Sequence, residues 1–179
     1  CIDTMSDSGV AALRSVLEIP VIGPGRASML TAMLIGSRFS VVTMWKHWFH
    51  LYEKTISDLS IQDHVASIRS IDVAPDNQSL LAGKEEDIFP LLLAEAKAAI
   101  AEDGADVILL GSTTMHQAHR HLGDNLDVPV INPGPLTYKL VEAMLGLGLS
   151  HSRTAYPASP VPRTEMVAAM MAAAGQFEH

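Results

Sequence analysis

Small hydroxyl and amide side chains follow four predicted strands of this sequence, at the points where the strands end. They lie in Thr4-Met5-Ser6, Thr43-Met44, Ser112-Thr113-Thr114 and Asn132-Pro133-Gly134. A helix is predicted to begin shortly after each segment, and the free N–H groups and positive dipole of a helix N-terminus suit an anion. The four segments together predict a pocket for a small carboxylate or imide. Helix capping is the alternative for each segment, because Ser and Thr are common N-cap residues.

Predicted strands and helices alternate along the chain and would bring these segments together. Strands are predicted at residues 20–23, 39–43, 67–73, 107–110 and 129–131, and residues 1–4 resemble the end of another strand. Ser6-Asp7-Ser8-Gly9 offers an N-cap for a helix over 10–17, and further helices are predicted at 25–36, 46–58, 85–102, 115–122, 135–147 and 163–174. This alternation indicates βαβ units, a mainly parallel sheet and helices on both of its faces. In such sheets, ligands bind beyond the carboxyl ends of the strands.

Three histidines form the pattern H-x-x-H-x-H at His116, His119 and His121. On a helix, the first two would share a face and the third would point elsewhere. No further ligand is evident nearby, so we expect a solvated polar face and no metal site. His116 stays a candidate acid or base, because it lies one turn past Ser112 and could face the pocket.

Composition excludes several classes of protein. The chain has 179 residues and a formal charge of -8, without the basic surplus that nucleic-acid binders show. No apolar run is long enough to span a bilayer, so we expect no membrane contact. The single cysteine excludes an intramolecular disulfide and favours the cytoplasm. Gly23-Pro24-Gly25 does not complete a dinucleotide-binding loop, because Ser28 stands where the third glycine would be. We therefore expect no cofactor.

The sequence predicts one α/β domain and a C-terminal appendage. The domain spans residues 1–155, and residues 156–179 contain a segment with three prolines followed by a helix rich in Met and Ala. We expect a homo-oligomer. The apolar stretch of that helix, residues 166–174, could contact another subunit or pack onto its own domain.

Several segments occur in an order typical of one known family. They are Ser6-Asp7-Ser8-Gly9-Val10, Ile19-Pro20-Val21-Ile22-Gly23, Phe39-Ser40-Val41-Val42-Thr43, Leu110-Gly111-Ser112 and Val128-Pro129-Val130-Ile131-Asn132. They resemble the stretches G-D-P-G-L, I-P-V-V-G, F-S-V-V-T, L-G-C and V-P-V-I-D of the Asp/Glu/hydantoin racemase superfamily, with hydantoin racemase the closest. The resemblance covers residues 1 to about 155.

This resemblance implies a fold of two similar lobes. Each lobe would be a Rossmann-like, three-layer α/β unit, with the active site between the two. Members of the superfamily carry a further β-α-β-α stretch before the position of Cys1. We therefore expect the N-terminal part of the first lobe to be missing from this sequence.

The resemblance also implies a substitution at both catalytic positions. The family racemises its substrates with two cysteines, one removing the α-proton and the other delivering a proton to the opposite face. These positions correspond to Thr4 and Ser112. A Ser or Thr hydroxyl scarcely ionises near neutral pH without a partner base, whereas a thiol does so readily. The ordinary two-thiol mechanism therefore cannot operate here.

Three functions remain compatible with the sequence. The first is a racemase-type isomerase acting on a small amino-acid-derived carboxylate or a hydantoin-like cyclic amide, with Thr4 and Ser112 in place of the thiols. The second is a hydrolase or lyase of a small carboxylate or cyclic imide, in which one of these hydroxyls acts with help from His116. The third is an inactive homologue that still binds a carboxylate.

Overall fold

The computed structural model describes residues 1–74, 87–158, 160–161 and 164–174. Its strands are β1 (Phe39–Thr43), β2 (Val65–Ser70), β3 (Val107–Leu110) and β4 (Val130–Ile131). Its α-helices are α1 (Val10–Val16), α2 (Pro24–Ile35), α3 (Phe49–Leu59), α4 (Phe89–Ala101), α5 (Ala118–Gly123), α6 (Pro133–Gly146) and α7 (Thr164–Ala174). Short 3-10 helices lie at Lys46–Trp48, Gln62–His64 and Thr113–Met115. The predicted alternation of strands and helices is thus confirmed.

The strands form one parallel sheet in the order β2-β1-β3-β4. Strands β1 and β3 are central, and all of their residues are buried, as the continuous apolar run of β3 predicts. In the register, Val41 lies opposite Ile68 of β2 and Leu109 of β3. The carboxyl ends of β1 and β3 therefore lie side by side, which places Thr43 next to the residues that follow Leu110.

Helices cover both faces of this sheet and produce three layers. Because successive strand residues point to opposite faces, Val41 and Val42 belong to different apolar clusters. Helices α2, α3 and α6 pack on the face of Val41, and α4 and α5 pack on the face of Val42. The α/β class and the helices on both faces are confirmed, and the described residues contain one such sheet.

Two predicted elements differ from the structure. Residues 1–4 and 20–23 are not strands in the described chain; they meet through one backbone hydrogen bond, from Ile2 N–H to the Ile22 carbonyl at 3.0 Å. Burial of residues 20–23 produced the apolar pattern of a strand, but a strand also needs a continuous ladder of hydrogen bonds. The first residues of the predicted helix 85–102 lie outside the described residues.

The C-terminal part of the described chain contacts α1. The guanidinium of Arg153 donates to the carbonyls of Arg14, at 2.7 Å, and Leu17, and it forms an ion pair with Glu18. A cation at these carbonyls is favourable because they form the negative end of the α1 dipole. The described side chains of α7 are exposed, and no helix among the described residues is both long and apolar enough to cross a membrane.

Candidate active site

The Ser112 segment, residues 111–116, begins where β3 ends and is supported from below by a buried tyrosine. The Tyr52 hydroxyl donates to the Gly111 carbonyl at 2.6 Å and lies 2.9 Å from the Thr43 hydroxyl. Burial raises the pKa of Tyr52 to about 12, so its hydroxyl stays protonated at neutral pH. A Cβ atom on Gly111 would lie 2.6 Å from the Thr43 Cβ, so glycine is needed there.

Ser112 is half-buried and caps the short 3-10 helix Thr113–Met115. Its hydroxyl accepts from the Thr114 N–H at 3.3 Å and pairs with the Thr114 hydroxyl at 2.8 Å. The capping interpretation is therefore correct for this serine. The capping position leaves the Ser112 side chain only partly covered, and neither of its hydrogen-bond partners is a basic group.

The segment after β4 lies against the Ser112 segment. The Asn132 amide donates to the His116 carbonyl at 3.4 Å, and a Cβ on Gly134 would lie 3.9 Å from the Thr113 Cβ. The Asn132 Oδ1 atom is buried and has no hydrogen-bond partner among the described residues. Pro133 and Gly134 are buried in the first turn of α6. The structure thus brings the segments after β3 and β4 into contact.

The Thr4 segment, residues 4–8, carries a row of three hydroxyls. Thr4 Oγ1 lies 3.1 Å from Ser6 Oγ, which lies 2.8 Å from Ser8 Oγ. Thr4 and Ser6 are half-buried and Ser8 is exposed, whereas Met5 is buried in the core on the α2 side of the sheet. Within the described residues, no hydrogen bond joins these hydroxyls to those of the Ser112 segment.

Asp7 attaches the Thr4 segment to α2. Its two carboxylate oxygens accept the N–H groups of Gly25 and Arg26, each at 2.8 Å, in the first turn of that helix. Burial raises the pKa of Asp7, while the hydrogen bonds from these N–H groups act in the opposite direction. The predicted N-cap segment of α1, residues 6–9, does contain the N-cap, which is Gly9, without a side-chain cap. The Asp7 carboxylate of that segment caps α2 instead.

Thr43 and Met44 lie deeper than the other predicted residues. Thr43 is fully buried and its hydroxyl hydrogen-bonds to the Tyr52 hydroxyl. Met44 packs in the core on the α4 side of the sheet. A cavity of about 430 Å³ adjoins the Thr4 segment, with Ser6 and Asp7 in its wall and no residue of the Ser112 segment. Its wall also contains cationic side chains and a phenol, from Arg14, Arg26, Lys54 and Tyr156.

Comparison with known proteins shows the ancestry of this arrangement. Residues 2–141 match the model of the Asp/Glu/Hydantoin racemase family. The chain belongs to this family. The hydantoin racemase of Rhizobium meliloti is 36% identical over 156 residues, which are 84% of this chain and 63% of that protein.

Two solved structures of racemases have the same fold. The allantoin racemase from Klebsiella pneumoniae superposes with a TM-score of 0.81 at 28% identity, over 90% of this chain and 65% of that one. The allantoin racemase from Pseudomonas fluorescens gives a TM-score of 0.77 at 28% identity, over 89% and 66%. The chain thus spans less than two thirds of the length of these racemase-family relatives.

The three histidines of this racemase-family chain point in different directions. His116 is exposed, His119 Nε2 lies 3.1 Å from the Val130 carbonyl, and His121 stacks on Phe89 at 5.7 Å between ring centroids. Only His116 fits the predicted solvated face. No group of three or more His, Cys, Asp or Glu in the described residues could hold a metal ion.

Sequence reasoning missed two supporting residues. Asp7 was predicted only as part of the segment 6–9 that caps α1, and Tyr52 was recognisable only as an aromatic residue on a predicted helix. The glycines that lie against these two residues, Gly25 and Gly111, were the signal that the sequence offered. A Cβ on Gly25 would lie 2.2 Å from the Met5 carbonyl oxygen, and one on Gly111 would lie 2.8 Å from the Tyr52 hydroxyl.

Proposed function

We propose that this chain is a cofactor-independent, racemase-type isomerase of a small amino-acid-derived carboxylate or a hydantoin-like cyclic amide. Membership of the racemase family, with the racemase fold over 90% of the chain, carries this proposal. Thr4 and Ser112 would face opposite sides of the substrate α-carbon, in place of the family's two thiols. Residues of the contacting segments after β3 and β4 would bind the polar groups of the substrate.

The environment of the two hydroxyls favours slow turnover. Neither the Thr4 nor the Ser112 hydroxyl hydrogen-bonds to a carboxylate or an imidazole among the described residues. Their partners are other hydroxyls and one backbone N–H, which cannot accept a proton at neutral pH. An alcohol without a base is a poor proton acceptor. This observation supports an alternative function, that of an inactive homologue that binds such ligands without turning them over.

Restoring the thiols distinguishes these two functions. Enantiopure allantoin and an alanine-derived hydantoin are incubated with the protein in deuterium oxide, and NMR follows deuterium incorporation at the α-carbon while polarimetry follows racemisation. General acid–base groups contribute roughly 10²–10⁴-fold to rate, so the double variant Thr4→Cys/Ser112→Cys should exceed the parent by at least about 10²-fold. Ser112→Ala should abolish any activity of the parent.

The controls separate catalysis from binding. Ser15→Ala is the matched control, because the Ser15 hydroxyl is exposed and, among the described residues, donates only to the Ala12 carbonyl. It should leave every rate unchanged. Thermal stabilisation of the parent by allantoin, without deuterium exchange, would establish the binding homologue. If the double variant neither binds nor exchanges either compound, the racemase proposal is wrong.

A further inference from the structure

The Thr4 segment has no strand to hold it. Residues 1–4 are outside the sheet, and their backbone is tied to residues 20–23 by the single Ile2–Ile22 hydrogen bond. Within the segment, the Asp7 N–H donates to the Thr4 carbonyl at 3.0 Å, which closes a turn around Met5 and Ser6. A turn alone does not fix where the Thr4 hydroxyl lies relative to the sheet. A long-range contact must do so.

The side chain of Asp7 makes such a contact, in addition to the burial of Met5 in the core. Both of its oxygens accept N–H groups of α2, so one carboxylate satisfies two of the free donors at the helix N-terminus. A negative charge also suits this end of the helix dipole. Asp7 has a φ of 53°, a left-handed conformation that Asp and Asn tolerate better than other side chains. The Thr4 segment approaches α2 so closely that a Cβ on Gly25 would have no room beside the Met5 carbonyl.

We propose that Asp7 is a positioning residue, which fixes the Thr4 hydroxyl by clamping residues 4–8 onto the first turn of α2. The clamp deepens the proposed function by saying how one of its two hydroxyls is placed. The evidence for the clamp is the pair of hydrogen bonds that the Asp7 carboxylate accepts, and these bonds do not involve a substrate. Loss of the carboxylate releases the segment locally and leaves the sheet intact.

A second clamp of the same chemistry provides a matched control. The Asp106 carboxylate accepts the N–H groups of Ser37 and Arg38, both at 2.9 Å, and a Cβ on Gly36 would lie 2.5 Å from its Oδ1. This clamp joins the loop before β1 to the residue before β3, so it lies at the amino ends of the strands. Removing it should cost comparable stability without releasing Thr4.

The test measures the exposure of position 4 with a thiol. In a Cys1→Ser/Thr4→Cys background, the engineered thiol is the only one in the chain. Its alkylation by iodoacetamide is measured at neutral pH with Asp7→Asn, Asp7→Ala or Asp106→Asn added, together with the Tm of each protein. Loss of a helix cap typically shifts an equilibrium severalfold, so Asp7→Asn should accelerate alkylation about fivefold. Asp7→Ala should accelerate it more, because alanine has no acceptor and tolerates the left-handed conformation poorly.

The control decides between clamping and general loosening. Asp106→Asn should lower the Tm to a similar extent and change the alkylation rate less than about twofold. Equal acceleration by the two Asn variants, or no acceleration by Asp7→Asn, would overturn the proposal. Alkylation requires no turnover, so failure of the Thr4→Cys/Ser112→Cys protein to racemise would reject the proposed function and leave this inference standing.

Discussion

The Thr4 and Ser112 segments carry the same kind of side chain but are held in different ways. Ser112 follows a central strand, and the Tyr52 hydroxyl beneath it bonds to the Gly111 carbonyl. The Thr4 segment lies outside the sheet and depends on the Asp7 carboxylate and on the burial of Met5. The Ser112 hydroxyl is thus placed by the regular hydrogen-bond ladder of the sheet, and the Thr4 hydroxyl is placed by the side chains of Asp7 and Met5. Changes around the first should act on the whole fold, whereas changes around the second can also act locally.

Truncating Met5 should have the largest effect and shows whether the Thr4 segment belongs to the cooperative core. Met5 is 5% exposed, so Met5→Ala should lower the free energy of unfolding by about 2–5 kcal/mol, measured by urea denaturation. Leu34→Ala is the control, because Leu34 is 82% exposed and should change stability by less than about 0.5 kcal/mol. A similar small change at both positions would mean that the segment detaches before the fold opens.

Filling the space at Gly111 should have the next largest effect and tests how tightly the Ser112 segment is seated. The Cβ in Gly111→Ala would overlap Thr43 and the Tyr52 hydroxyl, so we expect a loss of about 1–3 kcal/mol in chemical denaturation. Gly123→Ala is the control, because nothing lies within 4 Å of a Cβ there. It should be neutral or slightly stabilising. If both variants behave alike, the close packing beneath Ser112 is not rigid.

Removing the Tyr52 hydroxyl should have the smallest effect of the three. Tyr52→Phe leaves the Gly111 carbonyl and the Thr43 hydroxyl without this partner, at a cost of about 1–2 kcal/mol. Folding raises the pKa of Tyr52 from 10.0 to about 12. The stability that the protonated Tyr52 hydroxyl contributes is therefore fully present below pH 10.0 and is lost as the pH rises through about 12.

The pH dependence of unfolding checks this assignment. The difference in unfolding free energy between the parent and Tyr52→Phe should shrink across that alkaline range. A difference from Tyr52→Phe that stays constant with pH would contradict the buried, protonated phenol.

The segments differ in how far the sequence predicts them. The apolar run 107–110 identifies β3 directly, because a strand buried on both faces needs no polar alternation, and Ser112 follows from where that run ends. The buried residues 20–23 have a similar pattern but form no strand, since hydrophobicity reports burial and not pairing. Asp7 lies in the segment 6–9 that the sequence correctly predicts to cap α1, but local capping rules miss the bonds from its own carboxylate to α2, because these join residues distant in sequence.

The sequence by itself determined the α/β class, the strands of the parallel sheet and the family, because periodicity and ordered motifs are local properties of the chain. Only the tertiary structure decided that Tyr52 supports the Ser112 segment from below and that Asp7 caps a helix eighteen residues away. Such contacts join segments that are distant in sequence, and their geometry exists only once the helices have packed on the sheet.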